Sequence, residues 1–311
     1  MAATLPVQPA AVDDDLHVTK VTFWTRLRRH KLAIAGLVVL ALMVGGAVFA
    51  GQLAPFDPNA IDNVHWQGTP LPPCFQDAAQ CGGHPLGTDE VGRDLLSRLL
   101  FGARISLMVG LFAVLMEVVI GTTLGAISGY YGGWTDYAIM RVTDVFLSIP
   151  LLPLLLVLTA IVAASSSKAA LNFGVIVLII GALSWMSVAR LVRASFLSLR
   201  EREFTEAARA VGNRDGRIIF RHILPNAVAP IVVQATLDVA GVIVLESTLS
   251  FLGLGIQPPT ASWGNMLSNA QSNLQTAWWA AVFPGLCILA TVLSINYIGD
   301  GLRDALDPNM R

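Results

Sequence analysis

The chain has 311 residues, of which 54% are hydrophobic and 13% charged, whereas a soluble domain averages roughly 25% charged residues. Its 20 basic and 21 acidic residues nearly cancel, which argues against a nucleic-acid-binding protein because such proteins carry an excess of basic residues. Together with a mean hydropathy of +0.64, the composition argues against a soluble enzyme and predicts an all-α membrane protein with several spans.

Long stretches without charged residues predict where the membrane spans lie. A spanning helix needs about 20 mostly apolar residues, because lipid offers the backbone no hydrogen-bond partner. The stretch between His222 and Gly299 is too long for one helix, and the polar and proline-containing residues 257–265 divide it. Six transmembrane helices are therefore predicted, at about residues 31–51, 105–129, 140–163, 172–192, 226–250 and 277–298.

The placement of lysine and arginine predicts the orientation, because these residues are enriched in cytoplasmic loops. With a cytoplasmic N-terminus, 16 of the 20 basic residues lie on the cytoplasmic side, eight of them between the fourth and fifth spans. Both termini are therefore expected to be cytoplasmic. Residues 1–19, rich in Ala, Pro and Asp, are expected to form a disordered tail, and residues 304–311 a short cytoplasmic tail.

Sequence motifs of common enzymes are absent. No lysine follows a glycine, so the chain has no phosphate-binding loop and cannot hydrolyse ATP by that route. The patterns G-x-S-x-G, H-E-x-x-H and C-x-x-C are missing as well, and the five histidines are scattered. The sequence therefore predicts a non-catalytic protein with no metal site.

The loop between the fourth and fifth spans carries the most informative pattern. Phe204, Ala207, Ala208 and Val211 recur at helical spacing and predict a short helix with one narrow apolar face. Gly212 can adopt the left-handed conformation that closes such a helix. A second short helix is predicted at about residues 215–224, ending before Pro225 and the fifth span. The apolar face either docks on a cytoplasmic partner or lies against the membrane or its own bundle.

The same loop has a recognisable spacing. Glu206-Ala207-Ala208, then Gly212, then His222-Ile223-Leu224-Pro225 resembles the EAA loop of ABC importer permeases, with His222 where that motif expects isoleucine. The segments His84–Asp94, Leu249–Pro259 and Gly299–Pro308 resemble the second permease subunit of dipeptide/oligopeptide/nickel importers. The resemblance covers about residues 20–311.

This resemblance implies the type I ABC importer permease fold and a place in the prokaryotic cytoplasmic (inner) membrane. A second homologous permease subunit would complete the pathway, and two cytoplasmic ABC ATPases would use ATP and Mg, so that this chain itself binds no cofactor. An extracytoplasmic binding protein would deliver a dipeptide or oligopeptide. Residues 20–103 would hold the first span and a long outer loop, and residues 104–303 the permease domain.

The EAA loop would occupy residues 200–225 and seat on an ATPase as a coupling helix. The residues implied in that contact are Phe204, Glu206, Ala207, Ala208, Arg209, Val211 and Gly212. Within the same family, nickel or another small ligand is an alternative substrate. A secondary transporter that works alone and a membrane scaffold without a pathway are alternatives from other classes.

Three carboxylates lie inside apolar spans, namely Glu117, Asp238 and Glu246. A charged group at mid-membrane costs at least about 2.5 kcal/mol, so each should face the bundle or a cavity. They either line a translocation path, where a carboxylate could meet a substrate amine, or make hydrogen bonds between helices. Within the spans, Pro150, Pro153, Pro230 and Pro284 predict kinks.

Two further patterns concern packing and the outer loop. Gly121, Gly125 and Gly129 recur every four residues and favour close helix packing, either within the chain or with the second permease. In the loop at residues 52–104, Asp89 is expected to cap a helix at about residues 90–101. Cys74 and Cys81, on the oxidising side, either form a local disulfide or stay free.

Overall fold

A computed structural model describes residues 30–165 and 172–306 of the chain. The tail expected at residues 1–19 and the end of the tail expected at residues 304–311 lie outside the described residues. The helices, in chain order, are α1 (Lys31–Val48), α2 (Ala50–Leu53), α3 (Leu95–Tyr131), α4 (Gly133–Ser148), α5 (Leu151–Ser165), α6 (Phe173–Ser184), α7 (Met186–Arg200), α8 (Glu203–Ala210), α9 (Asp215–Ile218), α10 (Leu224–Phe251), α11 (Trp263–Ala270) and α12 (Trp279–Leu306).

The described part of the chain is helical and contains no β-strand, only two isolated bridge pairs. Four helical stretches are each long and apolar enough to cross a membrane: α1, α3, α12 and the continuous stretch Asp215–Phe251. Two bent pairs, α4 with α5 and α6 with α7, reach the same length and apolarity only when both members are counted together. The structure thus contains four to six candidate spans.

The predicted third span, at residues 140–163, is divided between α4 and α5, and the break falls at Pro150, where a kink is predicted. The axes of α4 and α5 differ by 85°, and Ile149 between them has an extended backbone, with φ −92° and ψ 124°. Pro150 explains the break, because proline disfavours the helical conformation of the residue before it and has no N–H to donate. Pro230 and Pro284 lie inside helices that continue past them.

The prediction of a separate helix at residues 90–101 is wrong in two respects. The helix begins later than predicted, and it is continuous with the second predicted span. Helix α3 begins at Leu95 and continues without a break to Tyr131. Its N-cap is Asp94, whose carboxylate accepts the backbone N–H of Ser97 at 2.7 Å. Asp89 cannot serve as the cap, because its carboxylate binds the Arg93 guanidinium at 2.7 Å within a turn that precedes the helix.

The helix predicted at residues 215–224 does not end before the fifth span. Helix α9 continues through a π-helical segment, Ile219–Ile223, directly into α10. Pro225 lies in the first turn of α10, where a missing N–H is least costly. The result is one continuous helical stretch of 37 residues from Asp215 to Phe251. The loop that precedes Asp215 is therefore connected directly to a candidate span.

The glycine stripe on α3 packs against α7 of the same chain. A methyl group added at Gly125 would lie 2.5 Å from the carbonyl oxygen of Ala189, and one at Gly121 would lie 2.7 Å from Cβ of Val188. At Gly129, the corresponding distance to the carbonyl oxygen of Arg193 is 2.7 Å. These glycines therefore bring two backbones into contact, which is the packing that small residues allow in membrane helices.

Helix α3 also passes through the main apolar clusters of the chain. Near its N-terminus, Leu99 packs with Trp263 of α11 and Trp279 of α12. In its middle, Val109 packs with Ile180 of α6 and with residues of α5 and α10. Near its C-terminus, Ala126 belongs to a cluster that includes α7 and α8. Helix α3 is thus the element against which the other helices are arranged.

The segment at residues 54–94, between α2 and α3, is irregular but held by buried polar contacts. His84 is 2% exposed, and its ring nitrogens contact Asp94 at 2.9 Å and Asp62 at 3.2 Å. Burial raises the pKa of the Asp62 carboxyl, but hydrogen bonds from His65, Val64 and His84 outweigh burial and hold this pKa well below its usual range. The motif residues His84–Asp94 therefore fix this segment to the start of α3.

Cys74 and Cys81 lie in this segment, and the structure joins them in a disulfide with their Cα atoms 4.9 Å apart. Among the described residues, Cys287 on α12 is the free cysteine. Denatured, unreduced protein should therefore bind one alkylating group per chain, and reduced protein three. Mass spectrometry after alkylation measures this, and three groups without reductant would contradict the disulfide.

The α3–α7 contact leads to a prediction with a matched control. Gly125→Ala should destabilise the purified protein by about 1–3 kcal/mol, because the added methyl group overpacks a close backbone contact. Gly45→Ala on α1, where a methyl group would meet no atom within 4 Å, should not. Thermal unfolding in detergent compares the two variants, and equal melting temperatures would show that this contact is not tight.

Candidate functional site

Helix α8, in the loop between α7 and the Asp215–Phe251 stretch, ends in a well-defined cap. Gly212 has φ +79°, as its position after the helix predicts, and its N–H donates to the carbonyl of Arg209 at 2.9 Å. The N–H of Asn213 donates to the carbonyl of Ala208 at 3.2 Å. These two bonds form a Schellman motif, which stops the helix at a glycine because a side chain is disfavoured at positive φ.

The apolar face predicted for this helix is divided between two surroundings. Ala208 is buried in the cluster that includes α3 and α7. Phe204, Ala207 and Val211 are exposed, Val211 to 83%. Ala208 therefore packs the helix against the rest of the chain. The other three apolar residues face away from the chain, beside the exposed side chain of Glu206.

Polar contacts hold α8 and the residues that flank it to α3 and α7. The Tyr130 hydroxyl donates to the Asp215 carboxylate at 2.7 Å, and the Arg209 guanidinium lies 5.7 Å from the centroid of the Tyr130 ring, within the range of a cation–π contact. Arg200 donates to the backbone carbonyl of Tyr130 at 3.0 Å. The hydroxyl of Thr205, on the buried side of α8, donates to the carbonyl of Leu199 at 2.9 Å.

An ion pair between Arg193 and Asp136 links α4 and α7 next to these contacts. Arg193 binds the carboxylate of Asp136 through two nitrogens, and the Ser128 hydroxyl donates to the same carboxylate at 2.5 Å. A bidentate arginine–carboxylate pair holds the two side chains in one relative orientation, in addition to the attraction between their charges. Helix α8 is consequently mounted on a rigid junction of α3, α4 and α7.

Sequence reasoning missed Thr205, Tyr130 and Asp215 as parts of this mounting. Thr205 precedes Ala208 by three residues and shares its face of α8, so the helical period could have identified it. The contact between Tyr130 and Asp215 joins residues 85 positions apart, and no local pattern in the sequence indicates it.

The three intramembrane carboxylates occupy two different places. Glu246 is fully buried, and it accepts hydrogen bonds from the hydroxyls of Ser250 at 2.7 Å and Ser106 at 3.5 Å. Ser106 in turn accepts the backbone N–H of Trp263, and Ser250 accepts that of Ile256. Glu246 therefore joins α3, α10 and the segment that leads into α11. Of the two roles considered for this residue, these contacts favour hydrogen bonding between helices.

Glu117 on α3 and Asp238 on α10 lie together, away from Glu246. Their carboxyl groups are close enough to interact directly. Both line a cavity of about 440 Å³ beside the breaks between α4 and α5 and between α6 and α7.

These features define a class of protein: a multi-span helical membrane protein that presents a short, rigidly mounted loop helix. Comparison with known proteins identifies the family to which the chain belongs. The family "Binding-protein-dependent transport system inner membrane component" matches residues 121–311. The family "N-terminal TM domain of oligopeptide transport permease C" matches residues 21–73.

Curated relatives match over nearly the whole chain. The dipeptide transport system permease protein DppC of Alkalihalophilus pseudofirmus is 41% identical, over 98% of this chain and 96% of its own length. The glutathione transport system permease protein GsiD of Pectobacterium atrosepticum is 41% identical, over 100% of this chain and 97% of its own length.

Among solved structures, an inward-facing conformation of the MetNI methionine ABC transporter is similar in fold. Its matched chain has a TM-score of 0.52 and 19% identity, and the match covers 66% of this chain and 95% of that one. The chain belongs to the binding-protein-dependent transport system inner membrane component family. It is a multi-pass permease component of the inner membrane.

The division of the α8 face can be tested by a paired substitution. Ala208→Leu should destabilise the permease by about 1–3 kcal/mol, because the added atoms overpack a buried site. Ala207→Leu, on the exposed side of the same helix, should leave the melting temperature unchanged. Thermal unfolding of the purified chain measures both, and equal destabilisation would contradict the orientation of α8.

Proposed function

We propose that this chain is one of two permease subunits of an ATP-driven importer of dipeptides or oligopeptides, and that α8 is its coupling helix. The observation that carries the proposal is the rigid mounting of α8, with Ala208 buried and Phe204, Ala207 and Val211 exposed. Exposed apolar residues on a fixed helix suit insertion into a groove of a partner protein. Glu206, Arg209 and Gly212 complete the contact in this proposal.

The peptide substrate is proposed from the relatives. Two relatives that match nearly the whole chain are named for dipeptide and for glutathione transport, and glutathione is itself a tripeptide. The family that matches the N-terminal region is named for oligopeptide transport. All three names describe short peptides, and none describes a metal ion.

The proposed topology has six spans with both termini in the cytoplasm, each bent pair counting as one span. Residues 104–303 form the permease domain in this proposal, and residues 20–103 supply the first span and the long outer segment. A second permease subunit completes the pathway, two ATPases bind ATP and Mg, and an extracytoplasmic binding protein delivers the peptide. This chain needs no cofactor of its own.

The contacts around α8 suggest how force would reach the pathway. Closure of the ATPases around ATP would move α8 as a rigid body, and Tyr130 would pass that movement to α3. The continuous helix from Asp215 to Phe251 would pass it to α10. These two helices carry Glu117 and Asp238, so movement of α8 would change the cavity between them, as in a two-state rigid-body transition.

Val211→Asp tests the coupling surface. Val211 is 83% exposed, so the substitution should leave folding intact, but a charge in an apolar interface should reduce ATPase co-purification and peptide uptake at least about tenfold. Pull-down from detergent and uptake in proteoliposomes containing the complete transporter measure the two effects.

The matched control is Val64→Asp, because Val64 is 81% exposed and lies in the segment between α2 and α3. This variant should bind the ATPases as the unsubstituted chain does. If Val211→Asp retained both ATPase binding and uptake, α8 would not be the coupling helix. If the unsubstituted complex bound ATPases but transported no peptide, the substrate assignment would fail instead.

A further inference from the structure

The cavity beside Glu117 and Asp238 is formed where two helix pairs break. Its walls include Ile149 and Pro150, at the 85° bend between α4 and α5, and Ser184 and Met186, at the 42° bend between α6 and α7. Irregular backbone at membrane depth is tolerated where it lines a cavity, and transporters place substrate sites at such broken helices. The volume of about 440 Å³ is within the range of small-ligand sites.

Apart from each other, the two carboxyl groups in this cavity have one hydrogen-bond donor among the described residues, the side-chain amide of Gln234. Glu117 is only 3% exposed, and in the described part of the chain its polar contact is with Asp238, which is another acid. Asp238 Oδ1 accepts the Gln234 side-chain N–H at 2.8 Å, whereas Asp238 Oδ2 is buried and has no N–H or hydroxyl partner among the described residues. Two acids thus share one amide donor.

Glu246 is a useful comparison, because its carboxylate joins helices through hydrogen bonds. It is also buried, but each of its oxygens accepts a serine hydroxyl, and it lines none of the cavities described here. By contrast, the described residues that line the cavity at Glu117 include no lysine, arginine or histidine. Facing carboxylates repel each other strongly in surroundings of low dielectric constant, so this pair requires a proton or a cation between its members.

A second cavity lies along the same face of α10 as this pair. Asn226, Pro230 and Gln234 line a cavity of about 590 Å³, and Asp238 lies one helical turn beyond Gln234, in the wall of the first cavity. Residues four positions apart share a helix face, so both cavities follow the same side of α10. The carboxyl pair therefore lies at the end of a face lined by cavities, where a passing ligand could reach it.

We propose that Glu117 and Asp238 form a subsite that binds the primary ammonium group of a peptide during its passage through the permease. This inference rests on the proposed transport function. An ammonium group has three N–H donors and a positive charge, which match Asp238 Oδ2 and the Glu117 carboxylate. A divalent ion such as calcium would need six to eight oxygen ligands, and the mostly apolar wall, formed by residues such as Phe146 and Leu245, does not supply them.

Carbodiimide labelling tests the subsite directly. The probe is an apolar carbodiimide, applied to the purified, nucleotide-free complex of two permeases and two ATPases without binding protein, with labelled positions mapped by mass spectrometry. Alanyl-alanine should slow labelling of Glu117 and Asp238, and N-acetyl-alanyl-alanine at the same concentration should not, because it has no ammonium group. Labelling of Glu246, which lies in a different hydrogen-bond network, should be unaffected by either peptide and serves as the internal control.

Variants make the test quantitative. In Asp238→Asn, the concentration of alanyl-alanine that protects Glu117 should rise about tenfold, the effect expected for loss of one charge-assisted hydrogen bond. Glu117→Gln should have the same effect on protection of Asp238. Asp57→Asn, at an exposed side chain in the segment between α2 and α3, is the matched control and should leave protection unchanged.

Equal protection by both peptides would show that the peptide blocks access by bulk alone and would overturn the ammonium subsite, as would no protection by either. Uptake of alanyl-alanine by the complete transporter, measured in parallel, separates this inference from the function on which it rests. Uptake without selective protection would refute only the subsite. Absence of both would refute the proposed peptide transport as well.

Discussion

The close contact between α3 and α7 is the constraint on which much of the remaining arrangement depends. At Gly121, Gly125 and Gly129 the two helix backbones approach so closely that a single methyl group would collide with the facing helix. In a membrane, apolar side chains gain little by leaving lipid for another helix, so close backbone packing supplies association energy that burial alone does not. The 37-residue length of α3 then carries this fixed alignment from the irregular segment at residues 54–94 to the loop helix α8.

Both ends of α3 are fixed by polar contacts that lie outside the apolar clusters. At its start, Asp94 caps the helix and also contacts the buried ring of His84, which ties the long irregular segment to the bundle. At its end, Tyr130 contacts Asp215 and Arg209, which ties α8 to the same helix. A movement imposed at either end would therefore act on one rigid element rather than on a flexible loop.

The three acids in the spans lie in two different environments. Glu246 has hydroxyl donors on both oxygens and joins elements that the chain brings together from distant positions. Glu117 and Asp238 face each other in a cavity, where Asp238 Oδ2 is buried and has no N–H or hydroxyl partner in the described part of the chain. A buried polar group that lacks a partner is costly, so the second arrangement is one that a cationic ligand would stabilise.

Much of this protein follows from the sequence alone. Charge-free runs identify the apolar helices because the cost of burying charge in lipid is large and local, and the spacing from Glu206 to Pro225 identifies the family because it is fixed by one short motif. Gly212 ends α8 as predicted, since positive φ is a local preference of glycine. The tertiary structure alone decided which side of α8 is buried, that Asp94 rather than Asp89 caps the helix that follows, and which acids share a cavity. Those outcomes depend on partners far away in the chain, such as Tyr130 with Asp215, or on competing nearby contacts, such as Arg93 with Asp89, and helical periodicity contains neither.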